Sequence, residues 1–283
     1  MRLDGRRTSG NVDDRRRSGS GKTSLGVVGT LVVGLIIWLM GGNPMSFFTD
    51  QAISGISTGQ EYIPTAEEDE LAEFSKIVLA GTEDIWTEIF RQMGRKYIPP
   101  KMVLFTGAVR SGCGNASSST GPFYCSADQT VYIDLSFFKE MSTRLDAGGD
   151  FAYAYVIAHE VGHHVQYLLG ILGDVQRQQQ QVNERERNML NIRLELQADF
   201  FAGLWANHDD KKYNSLEDGD IEEALNAASQ IGDDRLQMKS QGYTVPDSFN
   251  HGTSAQRSRW LKKGLQTGRF SDSDTFSIPF SAL

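Results

Sequence analysis

Two histidines four positions apart, with a glutamate directly after the first, form the clearest chemical pattern in the sequence. His159, Glu160 and His163 occur in the segment HEVGH, which an apolar run precedes. Residues i and i+4 lie on one face of a helix, so two imidazoles at this spacing can bind one metal ion. The glutamate beside the first ligand can take a proton from a water at the metal. The pattern predicts a Zn²⁺ site in which Glu160 is the general base.

A zinc site of the catalytic type needs a third protein ligand and an open fourth position. No histidine stands six residues after His163, because that position is Leu169. Glu195 and Asp199 instead occur four positions apart in the apolar segment LELQADFF. Because buried acids need partners, we predict that Glu195 is the third ligand and that Asp199 accepts the second ring N–H of a ligand histidine. A capping or surface ion-pair role for these two acids is the alternative.

Helices must position these side chains. Apolar residues between Leu71 and Met93 fall on one helical stripe, and apolar residues surround the histidines and the acids. Shorter runs at 102–105 and 122–135 indicate strands. The expected fold class is α+β, mainly helical with a small antiparallel sheet. The predicted elements are a helix that begins near Thr65, a strand at 102–105, a Gly/Ser-rich loop at 111–121, a hairpin at 122–135, and helices at 151–169, 182–206 and 220–231.

The segments HEVGHH and LELQADFFAG resemble the YpfJ-type family of bacterial neutral zinc metallopeptidases, within the zincins that use a glutamate as third ligand. Further similar segments are CGNASSSTGPFYCSADQTVYID at 113–134, IGDDRLQ at 231–237 and DSFNHGTSAQRSRW at 247–260. The resemblance extends over nearly the whole chain. It implies a zincin-like fold and a peptidase, with a protein or peptide as the substrate.

The expected function is hydrolysis of peptide bonds by a metal-activated water, in a membrane-anchored zinc peptidase. His251, in the segment FNHG, is the candidate donor to the oxyanion, and a turn or core histidine is the alternative. The hairpin at 122–135 can offer its edge to an extended peptide or be an ordinary structural edge. The rival function is a membrane-anchored zinc-binding scaffold or inactive peptidase homologue, for which a closed site would need four protein ligands.

Charge and hydropathy predict how the chain is divided. The formal net charge is −8, which argues against nucleic acid as a partner because phosphate binding needs a basic face. Residues 1–42 hold seven basic and three acidic side chains, and residues 25–40 carry no charge. The uncharged run through residue 42 reaches the length of about 17 residues that a transmembrane helix needs. A cleaved signal peptide and a buried helix are the alternatives.

Because basic residues concentrate before the apolar run, the positive-inside rule predicts a single-pass protein of the bacterial cell membrane. Its N-terminus would be cytoplasmic and its catalytic domain periplasmic or extracellular. The expected divisions are a basic disordered arm at 1–24, a transmembrane anchor in the lipid bilayer at 25–42, a linker at 43–65 and a zinc metallopeptidase-like domain at 66–283.

Cys113 and Cys125 are the only cysteines of the chain. In the topology above both lie where oxidation is permitted, and the Gly-rich residues between them let the chain turn back. We therefore predict a disulfide between them. Two buried free thiols, or two thiolates on a second metal, are the alternatives.

Overall fold

The residues that a computed structural model describes, 1–17 and 62–283, form eight α-helices and six β-strands. In chain order these are β1 (Val12–Asp14), α1 (Ala66–Gln92), β2 (Lys101–Phe105), β3 (Ala108–Ser111), β4 (Gly114–Ser117), β5 (Phe123–Cys125), β6 (Thr130–Asp134), α2 (Ser136–Arg144), α3 (Asp150–Leu169), α4 (Ile171–Gln179), α5 (Glu184–Tyr213), α6 (Asp220–Gln230), α7 (Asp233–Gln241) and α8 (Ser254–Thr267).

The mainly helical character predicted from the sequence is confirmed. α1 begins with a capping box, in which the side chains of Thr65 and Glu68 each accept a backbone N–H of the other residue. α5 continues past the predicted end at 206 and stops at Asn214, which adopts the left-handed conformation. The polar segment before that stop resembles a surface loop in sequence, but Asp209 within it is fully buried.

Four strands form a mixed sheet in the order β1-β2-β6-β5. β2 pairs in parallel with β1 and with β6, whereas β5 and β6 are antiparallel. β3 and β4 form a separate antiparallel hairpin, in which β4 lies within the loop predicted at 111–121 and β3 begins before it. The prediction of a small antiparallel sheet is therefore wrong for the main sheet. Parallel partners come from distant parts of the chain, so local alternation carries no information about them.

α5 packs closely against both α3 and α8, and small residues permit this. A Cβ atom on Gly162 of α3 would lie 3.1 Å from the Cα of Ala198. Between α5 and α8 the approach is closer still, because a Cβ on Gly203 or Gly264 would lie 2.2 Å from a backbone oxygen of the other helix. The main apolar core surrounds these contacts and includes Phe200, Leu204 and Trp260 of the two helices. The backbones of the helices that carry the histidines and the acids are thus held rigidly together.

Residues 1–17 are packed on the rest of the protein, whereas their composition predicts a disordered arm. β1 adds a strand to the sheet beside β2. Arg6 and Arg16 pair with carboxylates of α5 and α1, at Asp209 and Asp69. Low hydropathy predicts disorder because such segments bury little apolar surface, but here charge pairs and backbone hydrogen bonds hold the segment.

The predicted transmembrane anchor at 25–42, and with it the single-pass membrane localisation, needs correction. None of the described helices is long and apolar enough to cross a membrane. Residues 18–61, which hold the apolar run and most of the predicted linker, lie outside the described residues. On either side of them, Arg17 and Tyr62 both contact the first turn of α1, at Asp69 and Glu68. The arm and the domain therefore lie together, which is incompatible with an arm on one side of a bilayer and the domain on the other.

Candidate metal centre

His159 and His163 project from successive turns of α3 toward Glu195 of α5. The Nε2 atom of His159 lies 3.2 Å from Glu195 Oε2, and the Nε2 atom of His163 lies 3.4 Å from Oε1. One ligand atom from each of the three residues lies within 4.8 Å of the other two. Two ligands that are each about 2.1 Å from a tetrahedral zinc ion lie about 3.4 Å apart. The donor set and its spacing therefore fit zinc.

Each of these histidines is oriented through its other ring nitrogen. His159 Nδ1 donates to Asp199 Oδ1 at 2.8 Å. His163 Nδ1 donates to Gln166 Oε1 at 2.9 Å. The Gln166 amide is fixed in turn, because its Nε2 donates to the carbonyl oxygen of Leu194 at 2.7 Å. Because both Nδ1 atoms donate to these oxygens, Nε2 is the atom of each ring that is left to bind a metal ion beside Glu195.

Asp199 is fully buried, and three side chains bind its carboxylate: Tyr155, His159 and Arg257. Its Oδ1 accepts from Tyr155 Oη at 2.6 Å as well as from His159. Arg257 of α8 donates to both carboxylate oxygens at 3.0 Å and is itself 4% exposed. A buried carboxylate is costly unless it is paired and fully hydrogen-bonded. Arg257 supplies the opposite charge that lets Asp199 stay ionised beneath the centre.

Charges around the centre shift the pKa values of its members in opposite directions. Burial lowers the pKa of His159, but Asp199 and Glu195 outweigh it and raise that pKa to about 10. Burial raises the pKa of Asp199, but Arg257 and His159 lower it to about 2. Burial likewise opposes ionisation of Glu195, yet the two histidines hold its pKa well below the ordinary value. The two acids thus stay ionised and supply the negative charge that a divalent cation needs.

Glu160 follows His159 on α3 and is 8% exposed. Burial lowers the pKa of His163, but the charges of Glu195 and, to a lesser extent, Glu160 outweigh it and raise that pKa above the ordinary value. Among the described residues, no side chain or backbone group donates a hydrogen bond to that carboxylate. Its oxygens are therefore available to a water or a substrate in the centre.

His251 lies in the loop that precedes α8. Asp233, the first residue of α7, accepts its Nδ1 at 3.1 Å and its backbone N–H at 2.7 Å. Partial burial lowers the pKa of His251, but the Asp233 hydrogen bond and the charge of Glu195 raise it above the ordinary value. The side chain is 51% exposed, so its ring is open to solvent.

The structure thus brings the predicted His159, His163, Glu195 and Asp199 into one cluster. Glu160 follows His159 on α3, and His251 is held by Asp233 in the loop before α8. Three further side chains that complete the cluster escaped sequence reasoning: Tyr155, Gln166 and Arg257. Tyr155 and Gln166 stand one helical turn or less from the histidines, and their polar atoms were not assigned. Arg257 had a usable signal, because a charge at helical spacing before Trp260 and Leu261 falls on an apolar face and needs a buried partner.

The outer strand β5 lies beside α3, the helix that carries the two histidines of the candidate metal centre. Tyr124 of β5 donates to His164 Nδ1 at 2.9 Å, because the other ring nitrogen of His164 donates to the carbonyl of Ile98. Cys113 and Cys125 form a disulfide that ties β5 to the turn between β3 and β4, with Cα atoms 5.8 Å apart. The cysteines are the pair that the sequence predicts.

The fold and the site together define an α+β protein with a candidate metal centre of two histidines and one carboxylate. The family model described as "Putative neutral zinc metallopeptidase" matches residues 1–276, and the chain belongs to this family. It is 50% identical to the uncharacterized protein YpfJ of Escherichia coli over 98% of this chain and 99% of that protein. It is also 46% identical to the uncharacterized protein Mb2605 of Mycobacterium bovis, over 64% of each chain. No solved structure matches.

Proposed function

We propose that this protein is a zinc-dependent peptidase that hydrolyses peptide bonds. The observation that carries the proposal is the convergence of the His159 and His163 Nε2 atoms on the two oxygens of Glu195. The family's description as zinc metallopeptidases agrees with this geometry. Three protein ligands leave a fourth position for water or substrate, as catalytic zinc sites require.

In this proposal His159, His163 and Glu195 hold the zinc ion. Zinc, when bound, supplies Lewis acidity that acidifies a water and polarises a carbonyl group. Glu160 accepts the proton of the attacking water and passes it to the leaving amine, which needs no other acid. His251 donates a hydrogen bond to the oxygen that becomes negative in the transition state. Asp233 positions His251, since it accepts Nδ1 and leaves Nε2 for the substrate.

The substrate side of the proposal uses the free edge of β5. This strand ends the sheet order, and its Tyr124 contacts His164 on the helix that carries the ligand histidines. An extended peptide can add to such an edge through backbone hydrogen bonds, which are independent of side-chain type. We expect the protein to cleave unfolded or extended segments of proteins with weak sequence preference.

The test combines metal analysis with cleavage of casein by the full-length chain. We expect stoichiometric zinc in the wild type and in Glu160→Gln, and a loss of at least about 100-fold in cleavage rate for Glu160→Gln. The exposed Glu222→Gln on α6 is the matched control and should cleave like the wild type. Zinc binding with no cleavage by the wild type would instead support the zinc-binding scaffold. Wild-type cleavage by Glu160→Gln would remove Glu160 from the mechanism.

A further inference from the structure

A socket for a guanidinium group lies between α1 and α5, on residues that the metal centre does not use. The two Nη atoms of Arg6 bind the two oxygens of Asp209 at 2.8 and 2.6 Å. Asp209 is fully buried, and the Arg6 guanidinium also lies 4.3 Å from the centre of the Tyr213 ring. Gly81 leaves the space for the group, because a Cβ there would lie 2.6 Å from Arg6 Nη2. The paired geometry and the ring contact suit arginine and not lysine.

The next residues of the arm contact α1. Arg7 Nη2 contacts Glu83 at 2.9 Å and donates to the carbonyl oxygen of Ala80 at 3.0 Å. Ser9 and Asn11 both donate to Glu83 Oε1, at 2.5 and 2.7 Å. The Glu83 carboxylate thus contacts three residues of the arm. These contacts require the order and spacing that Arg7, Ser9 and Asn11 have in the sequence.

Beyond Asn11 the arm is recognised by its backbone. Residues 12–14 pair in parallel with residues 102–104 of β2, and hydrogen bonds at Asn11 and Arg15 extend the pairing. After the strand, the Arg16 guanidinium donates to the carbonyl oxygen of Glu68 and to Asp69, each at 2.9 Å. This is strand addition to a sheet edge with side-chain pockets before and after it.

We propose that the surface formed by Gly81, Glu83, Asp209, Tyr213 and the edge of β2 is a docking site for an arginine-containing extended peptide, and that its ligand is residues 1–17 of this chain. The proposal is independent of the metal centre and of peptidase activity. The site binds the adjacent side chains of Arg6 and Arg7, then those of Ser9 and Asn11, and then the backbone of β1. We name it the arm site.

The arm site is incomplete without its ligand. Asp209 is 0% exposed and Arg6 is its salt-bridge partner among the described residues. Removing Arg6 leaves a buried carboxylate without opposite charge, which destabilises proteins strongly. The same helix, α5, carries Glu195 and Asp199. Docking of the arm therefore contributes to the stability of the domain. We expect the arm to stay bound in the native full-length protein.

Trypsin accessibility of the arm tests the socket in the full-length chain. Arg6 and Arg7 should be protected in the wild type, and cleavage after them should be at least ten times faster in Asp209→Asn and in Gly81→Ala. The controls are Asp218→Asn, at an exposed position, and Gly173→Ala, where a Cβ meets nothing closer than 3.5 Å. Equal cleavage rates in wild type, Asp209→Asn and Gly81→Ala would overturn the proposal.

A labelled synthetic peptide of residues 1–17 tests whether the site binds this ligand in trans. The full-length Arg6→Met variant should bind the peptide at least ten times more tightly than the wild type, whose tethered arm competes at about millimolar effective concentration. Arg6→Met combined with Asp209→Asn should not bind. If Arg6→Met folds poorly, the peptide should raise its melting temperature, and the same peptide with Met at position 6 should not. Peptide binding that is unaffected by Asp209→Asn would contradict the proposal. Concentration-dependent dimers that exchange arms would support the same site, filled by a second copy.

Discussion

Arg257 illustrates how a residue that touches no substrate can determine a metal centre. Its guanidinium binds both oxygens of Asp199, and Asp199 in turn orients His159. Because all three groups are buried, the loss of one charge cannot be compensated by water. The metal centre and the stability of the core therefore share this contact.

Arg257→Met should destabilise the folded protein by about 3–5 kcal/mol, because it leaves Asp199 buried without its partner. Arg257→Lys keeps the charge but loses the paired geometry, so its cost should be smaller. Urea denaturation of the metal-free full-length chain measures both. Lys262→Met, an exposed position on the same helix, is the control and should change stability by less than about 0.5 kcal/mol. Equal stability of Arg257→Met and the control would show that Asp199 does not depend on this arginine.

Glu195→Ala should reduce zinc affinity far more than Asp199→Asn does. Glu195→Ala would remove a metal ligand. Asp199→Asn would only loosen the orientation of His159, at a cost of roughly 10–100-fold in affinity. Competition with a chromophoric chelator gives both constants. Full zinc occupancy in Glu195→Ala would mean that the third ligand lies elsewhere, with Asp199 as the first candidate.

Asp233→Asn should narrow the pH range of activity. Asp233 and Glu195 raise the pKa of His251, and the nearby Arg257 lowers it. If protonated His251 is the donor, activity falls as the pH rises through that pKa. Loss of the Asp233 charge lowers the pKa, so the alkaline limb of the kcat/KM profile should move to lower pH. Asp247→Asn, at an exposed site, should leave the limb in place. An unmoved limb in Asp233→Asn would exclude His251 as the titrating donor.

At the residue scale, spacing in the sequence was enough to select the histidines and the two acids, because helical periodicity places i and i+4 together. Tyr155 and Gln166 could not be selected in this way. Tyrosine and glutamine occur in many buried helices without such a role, and the partners Asp199 and Leu194 stand on another helix. Only tertiary packing assigns their hydrogen bonds.

At the scale of elements, the disulfide connects the β3–β4 hairpin to the outer strand β5. Cys113 and Cys125 are 12 residues apart, and Asp128 adds a hydrogen bond to the backbone of Gly112 at 2.6 Å. Among the described residues the hairpin forms no backbone ladder with the main sheet, although Val109 packs against the cluster that includes Val103 and Tyr132. The bond therefore limits the movement of the strand edge that we propose for substrate.

Replacement of both cysteines by serine should lower the free energy of unfolding by about 3 kcal/mol, chiefly by enlarging the unfolded ensemble. Urea unfolding of the oxidised wild type and of the double variant gives the difference. The reduced wild type is the matched control and should resemble the variant. A wild type whose stability does not change on reduction would show that the loop is already ordered without the bond.

The elements themselves were predictable to different degrees. Helices α3, α5 and α6 begin within two residues of their predicted starts. The parallel pairs of β2 were not predictable, because β1 has three residues and lies far from β2 in sequence. A strand so short has no periodicity of its own.

At the scale of the whole molecule, contacts between distant parts of the chain decide what the domain is. Arg6 and Asp209 are separated by 203 residues, and Ser9 and Glu83 by 74. The composition of residues 1–24 predicts a disordered arm that includes Arg6 and Ser9. Charge complementarity between residues so far apart cannot be recognised from the local sequence. Residues 1–17 therefore pack on residues of the predicted domain at 66–283.

The position of β1 also bears on colloidal behaviour. β1 is short and carries Asp13 and Asp14, features that prevent strands from joining edge to edge. Behind it, β2 reads KMVLF, with four of its five residues buried. Such an apolar segment can nucleate cross-β aggregation when its edge is uncovered. A chain that lacks residues 1–17 should precipitate or bind thioflavin T under conditions where the full-length chain stays dispersed. The arm then acts as a cap against fibre growth, which the chain carries at its own N-terminal end.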